Sequence, residues 1–284
     1  MSAMNDLGSY QDHPPSLASD GFSEGAFLLD ANSKWQRTDS IPLSDRGFRY
    51  GMHLFESMAV IHGRPEFLEE HLRRLTQAAS QSGYRPPAGW EDKLRSAFHL
   101  PASTKPLFAR IHLTAGDGAP ADPPALGRVI VSLEHRSREL PAFYNLHPLP
   151  CPAFGSDQPE SGHLKSGHYA LRCSALREAK ANAADEALLV DASLGALSCA
   201  MANFFWKQNG RWFTPPIGKS VRNGVWREWW MHECEATENT LPLAHVDQIE
   251  SAALTGSWIG VMPVRNIGQT TLPHLAPRIP TRPS

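Results

Sequence analysis

Residues 40–79 read SIPLSDRGFRYGMHLFESMAVIHGRPEFLEEHLRRLTQAA. After SIPLSDRGFRYG comes His53–Ile61, HLFESMAVI, whose dense apolar and β-branched content predicts a central strand turning at His62-Gly63. A helix follows in FLEEHLRRLTQAAS. Leu68, Leu72, Leu75 and Ala79 recur at helical spacing, and Glu69 and Glu70 sit in the first turn, where the macrodipole favours acidic groups. Working outward, AFLLD at Ala26–Asp30 predicts a short strand. A second helix is expected over Trp90–His99, and strands at Leu107–Thr114 and Val129–Leu133 bracket a loop of Gly, Pro and Asp. These pieces make one α+β unit over residues 23–134.

EHRSREL is charged and without periodicity, so the link to a second unit, residues 141–269, is placed near residues 134–140. That unit reads as a strand near Tyr144–Pro148, a Pro/Gly/Ser loop to Gly162, and a helix over His168–Ala181. ADEALLVD is then a strand, Ser193-Leu194-Gly195 a turn, ALSCAMANFFWKQ and RWFTPP paired strands, and Asn223-Gly224 the start of a helix. Residues 1–22, rich in Ser, Asp, Gly and Pro, and the Pro-punctuated residues 270–284 read as tails.

With 284 residues, 41% of them hydrophobic, the chain is long enough to bury a full core, so it is not a small disulfide scaffold. A formal net charge of -2 carries no electrostatic footprint of a nucleic-acid binder. The start MSAMNDLGSYQDHPPS is neither basic nor apolar, and no apolar run is long enough to span a bilayer, which predicts a cytoplasmic protein away from membranes. Cys151, Cys173, Cys199 and Cys234 are widely spaced with no CxxC pair, as suits a reducing compartment, and the histidines lack a metal-ligand spacing, so no metal is expected.

Lysine is scarce. Lys165 stands apart in SGHLKSGHYALRC, among uncharged neighbours ahead of a helix. Packing around an amine disfavours its charged form, and an amine that can be neutral is the kind that attacks carbonyls. The ordered set Asp45-Arg46-Gly47, Tyr50-Gly51, Phe55-Glu56, Gly63, His71, Arg74-Leu75 continues in Lys165, ADEALLVD, Asn203-Phe204-Phe205, Thr214-Pro215, Asn223-Gly224 and Arg227. Across residues 24–264 it resembles the class IV aminotransferase family, the fold-type IV pyridoxal-phosphate enzymes.

The resemblance implies a two-domain α/β (α+β) fold, with a small N-terminal α/β domain and a larger C-terminal domain. It implies a pyridoxal 5'-phosphate cofactor and a homodimer acting on an amino-acid-like small molecule. It makes Lys165 the Schiff-base lysine, and gives the cofactor phosphate to Arg74, the backbone of Val225 and Trp226, and Ser257. The chemistry agrees, since Arg offers a planar fork of donors and the first amides of a helix point at an anion. Trp226 stands where the family usually has Thr, which removes one hydroxyl from the phosphate. Opposite the pyridine nitrogen the family places a Glu five residues before the strand Asn. Here that position is Ser198, which cannot hold the ring nitrogen protonated and so tilts the expectation toward elimination rather than transamination.

Three enzyme-level outcomes follow. Thr114-Ala115-Gly116-Asp117-Gly118, together with Asn-Gly-Val-Trp-Arg, resembles the aminodeoxychorismate lyases within the family, with Arg110 placed to meet a substrate carboxylate. This favours lysis of 4-amino-4-deoxychorismate to 4-aminobenzoate and pyruvate. The alternative is an aminotransferase for apolar or branched-chain amino acids, its pocket lined by Phe55 and Trp206. The third is a cofactor-binding homologue without turnover, suggested by Ser198, Ala115 and Trp226.

Overall fold

The strand expected over His53–Ile61 forms over those residues and lies inside a six-stranded antiparallel sheet. In this computed structural model, residues 22–30, 32–100, 105–151, 164–218 and 220–283 are described. The first sheet contains β1 (Gly25–Leu29), β2 (Trp35–Arg37), β3 (His53–Ile61), β4 (Arg64–Pro65), β5 (Leu107–Thr114) and β6 (Val129–His135) in the order β2-β1-β6-β5-β3-β4. Helices α1 (Arg46–Tyr50), α2 (Leu68–Gln81) and α3 (Trp90–Ala97) accompany it. Leu72, Leu75 and Leu94 of the helices bury against Leu54, Met58 and Ile111 of the sheet. Each such side chain taken from water contributes about 1.5–3 kcal/mol.

The short α1 explains the Asp-Arg-Gly turn. Asp45 caps it by accepting from the Gly47 amide at 2.7 Å, while its other oxygen accepts from Thr114 Oγ1 and Arg128 Nη1. Gly51 closes the turn in the left-handed conformation at φ 68°. Buried Arg46 donates to the carbonyls of Ala115, Gly116 and Asp122, so the turn and the loop after β5 hold one another.

The second sheet follows the link after His135. Its strands are β7 (Tyr144–Pro150), β8 (Glu186–Asp191), β9 (Gly195–Cys199), β10 (Asn203–Gln208), β11 (Arg211–Thr214), β12 (Thr237–Glu238), β13 (Ser251–Gly256), β14 (Gly260–Ile267) and β15 (Thr270–Thr271). They run β12-β11-β10-β13-β14-β7-β8-β9, with β15 on β14. Helix α4 (Ala170–Ala181) packs on β7 and β8, and α5 (Val225–Glu233) on β13 and β14. The mixed α/β class is as expected. No helix among the described residues is long and apolar enough to cross a membrane.

Several expectations change. ALSCAMANFFWKQ is two strands. The Cys199 amide donates to Ala202 O at 2.8 Å, which turns the chain, so that β9 pairs with β8 while β10 pairs with β11 and β13. Phe22, read as tail, is 2% exposed and packs edge-on against Trp35 and Phe98. The C-terminal stretch is docked as well. Near its start β14 has no β7 partner, and Ile279 exchanges two backbone hydrogen bonds with Val261 there, while Leu272 and Ala276 are buried. The prolines around Ile279 present no amide needing a partner, so this non-repetitive segment satisfies an open strand edge. The Pro/Gly/Ser loop lies mostly outside the described residues.

Candidate active site

Lys165 reaches the first sheet through backbone pairing. Its carbonyl accepts from the Phe55 amide at 2.9 Å, and the Gly167 amide donates to His53 O at 3.0 Å. A Cβ on Gly167 would lie 2.3 Å from the His53 ring, so any larger residue there would force that ring to move. The pairing also delays α4 to Ala170, where a start at His168 was expected.

Alternation along β3 sorts its side chains. Phe55 and Ser57 face a cavity between the two sheets, whereas Glu56 points to α2. There Glu56 accepts from Arg74 Nε at 2.7 Å and Nη2 at 2.5 Å, and its Oε2 lies 2.8 Å from His71 Nδ1. The Lys165 amine stands 4.0 Å from the same Oε2 and 5.1 Å from the centre of the Phe55 ring. Burial lowers the lysine's pKa, and Arg74 and Arg222 push the same way, against the attraction of Glu56 and Tyr169. The amine is thus shifted toward its neutral, nucleophilic form.

The cavity is about 640 Å³, which suits a cofactor together with a small substrate. One end is built of donors. Arg74 Nη1 donates to Asn223 O at 2.7 Å, beside the uncapped first turn of α5 at Val225 and Trp226. Ser257, in the turn between β13 and β14, lines the same cavity. The loop entering α5 is fixed by Asn203, whose amide donates to Arg222 O at 2.9 Å, and by buried Arg227, which donates to Pro215 O and Glu238. The Trp226 indole packs away from the cavity against Phe67 and Trp229, so the backbone is what Trp226 offers the site.

Ser198, which also lines the cavity, is 2% exposed, and its hydroxyl donates to Ser220 O at 2.9 Å. The remaining wall carries Tyr169, whose ring meets Phe55 edge-on at 5.0 Å and whose hydroxyl accepts from Arg222 at 2.5 Å. His53 and His112 also line it. Burial lowers the pKa of both, His112 to about 4, which leaves them neutral at neutral pH. Arg110 is exposed at the mouth, its guanidinium 5.0 Å from the Phe108 ring.

The structure thus gathers Lys165, Arg74, Ser198, Val225, Trp226, Ser257, Phe55 and Arg110 around one cavity. Trp206 is not among them. It is buried in the second sheet's core between Phe204 and Phe213, because its position on β10 faces that layer. Sequence reasoning missed Tyr169, Arg172 and Arg222, which share the cavity wall. The one available signal was the position of Tyr169 and Arg172 in the helical segment just after Lys165.

Residues 53–267 match the family described as amino-transferase class IV. A probable branched-chain-amino-acid aminotransferase of Rickettsia typhi is 25% identical over 253 residues, covering 82% of this chain and 86% of that protein. Among solved structures, a branched-chain aminotransferase of Thermoproteus uzoniensis superposes with a TM-score of 0.76 at 16% identity, over 88% of this chain and 89% of that one. A putative 4-amino-4-deoxychorismate lyase of Legionella pneumophila superposes at 0.70 and 22% identity, over 83% and 90%.

Proposed function

The chain belongs to the class IV aminotransferase family, and on that premise we propose that it is a lyase whose preferred reaction splits 4-amino-4-deoxychorismate into 4-aminobenzoate and pyruvate. Enzymes of this family use pyridoxal phosphate. The cavity lining fits that group: Arg74, the first amides of α5 and Ser257 are donors along it, and Glu56, the carboxylate hydrogen-bonded to Arg74, is also met by His71. A guanidinium, the first amides of a helix and a hydroxyl together suit a phosphate. Lys165 is the residue to which the cofactor attaches, and Ser198 is the neighbour of its ring nitrogen.

When bound, the cofactor withdraws electrons from the substrate carbon that bears the amine and so loosens the proton there. Lys165, freed when the substrate amine takes its place on the cofactor and shifted toward its neutral form, takes that proton. The carbon–oxygen bond to the three-carbon side chain breaks with its electron pair on oxygen, the ring becomes aromatic, and Lys165 returns the proton to the departing pyruvate. Atoms and protons balance without water or a second substrate. Arg110 at the mouth offers a charge for a substrate carboxylate.

The observation that carries the reading is Ser198, a neutral hydroxyl where amino transfer benefits from a carboxylate. A second reading, an aminotransferase for apolar or branched-chain amino acids, is supported by the stacked Phe55 and His112 rings and by the relatives' names. A homodimer is supported by Leu43 and Phe48, large apolar side chains left exposed on and beside α1.

The test is to incubate the loaded protein with aminodeoxychorismate and, separately, with amino acids plus 2-oxoglutarate. We expect 4-aminobenzoate and pyruvate in equal amounts from the first and little glutamate from the second. Efficient glutamate formation without 4-aminobenzoate would replace the lyase with the aminotransferase. Neither product would leave a binding homologue. Borohydride should fix the cofactor to the peptide containing Lys165, and a label on Lys180 instead would defeat the assignment of the lysine.

A further inference from the structure

Arg172 takes no part in the steps above, yet it is a guanidinium only 5% exposed in the wall of the cavity. It donates from Nη1 to Cys199 O and Ala200 O at 3.1 Å each, and from Nη2 to Ser220 O at 2.7 Å. Ser198 Oγ rests on two of the same oxygens, Ser220 O at 2.9 Å and Cys199 O at 3.2 Å. Every carbonyl on which the Ser198 proton rests is therefore also held by Arg172. A buried carbonyl left without a donor is costly, but one held by Arg172 stays satisfied when the serine proton turns elsewhere. The hydroxyl is free to donate to a new acceptor in the cavity.

Charge points the same way. A guanidinium keeps its proton at neutral pH even though burial and Arg222 lower the pKa of this one to about 10. Arg222 adds to the positive side. Tyr169, Cys151 and Glu186 act the other way on Arg172, and burial pushes the Glu186 carboxyl up to about 7, which weakens its charge at neutral pH. A fixed cation beside an aromatic nitrogen opposes a second positive charge on that nitrogen.

We propose that Arg172 is a positioning residue that makes Ser198 a hydrogen-bond donor to the cofactor's ring nitrogen and keeps that nitrogen unprotonated, favouring loss of a leaving group over amino transfer. The inference rests on the placement of Ser198 beside the ring nitrogen.

The test loads the protein with pyridoxal phosphate labelled with ¹⁵N in the ring and follows the nitrogen resonance against pH. In the unsubstituted protein the resonance should be that of a neutral pyridine at neutral pH. Arg172→Gln should raise the proton affinity of the nitrogen by roughly tenfold or more, whereas Arg172→Lys, which keeps the charge, should leave it neutral. A protonated ring in Arg172→Lys overturns the proposal even if Arg172→Gln does not fold. So does an unchanged affinity in Arg172→Gln, or a protonated ring in the unsubstituted protein that Glu186→Gln neutralises. Ser198→Ala separates the two layers. A resonance indifferent to it refutes the placement of Ser198, whereas one that moves with Ser198→Ala but not with Arg172→Gln refutes Arg172 alone.

Discussion

Arg74 grips the carboxylate of Glu56 at two points, Nε on Oε1 at 2.7 Å and Nη2 on Oε2 at 2.5 Å. Burial by itself would raise the pKa of Glu56, but Arg74 first and His71 second outweigh it and hold the carboxyl well below the usual range. The pair therefore does two things. It aims the rest of the Arg74 guanidinium toward the start of α5, and it keeps one dependable negative charge 4.0 Å from Lys165.

Glu56→Gln should lower stability by about 3–5 kcal/mol at neutral pH, because it strands the buried end of Arg74. The depressed pKa means that the stabilisation is present above the unfolded carboxyl value and lost only as pH falls through the lower folded one. Urea unfolding should show the gap to the unsubstituted protein persisting in mild acid and closing in strong acid. The same variant should lower the pKa of Lys165 further, moving the acidic limb of its labelling by a carbonyl reagent and borohydride to lower pH. A limb that moves to higher pH would contradict this account.

Arg73 and Arg74 are adjacent but not equivalent. Arg73 is 65% exposed and meets Glu228 at 3.3 Å, a contact worth about 0–1 kcal/mol. Arg74→Ala should weaken retention of pyridoxal phosphate by roughly tenfold or more, the worth of one charge-assisted hydrogen bond, and Arg73→Ala should leave it nearly unchanged. Equilibrium dialysis reads both. Equal losses would mean a general effect of surface charge.

Glu186 is buried and pushed up to about 7. A carboxyl with a raised folded pKa penalises the fold as pH climbs above its unfolded value, and the penalty is complete above the folded one. Glu186→Gln should therefore stabilise the protein more at about pH 8 than at about pH 5, by at most about 3 kcal/mol. Chemical denaturation at the two pH values decides it, and a pH-independent difference would place the effect in packing.

Much of the architecture was legible because its signals are local. The apolar run His53–Ile61, the helical spacing of Leu68, Leu72 and Leu75, and the Asn-Gly before α5 depend on short-range sterics and on which face needs burial, and each element formed where it was expected. Lys165 stood out only weakly by its uncharged neighbours ahead of a helix, and the resemblance to a known family is what singled it out.

The sequence by itself therefore determined the elements and, through its resemblance to a known family, the family, and it singled out Lys165 and Arg74, which both line the cavity. Tertiary structure alone decided what surrounds them. Glu56 reads as one more strand residue until α2 brings Arg74 and His71 onto it. Arg172 and Ser198 become neighbours through the carbonyls they share, Cys199 O beside the serine and Ser220 O in a third segment. Trp206 has the composition of a pocket wall but faces the core, and residues 270–279 read as a tail yet complete an open strand edge at Val261. In each case the deciding quantity is the desolvation of a polar group or an aromatic ring by residues distant in sequence, and only the folded chain sets which groups those are.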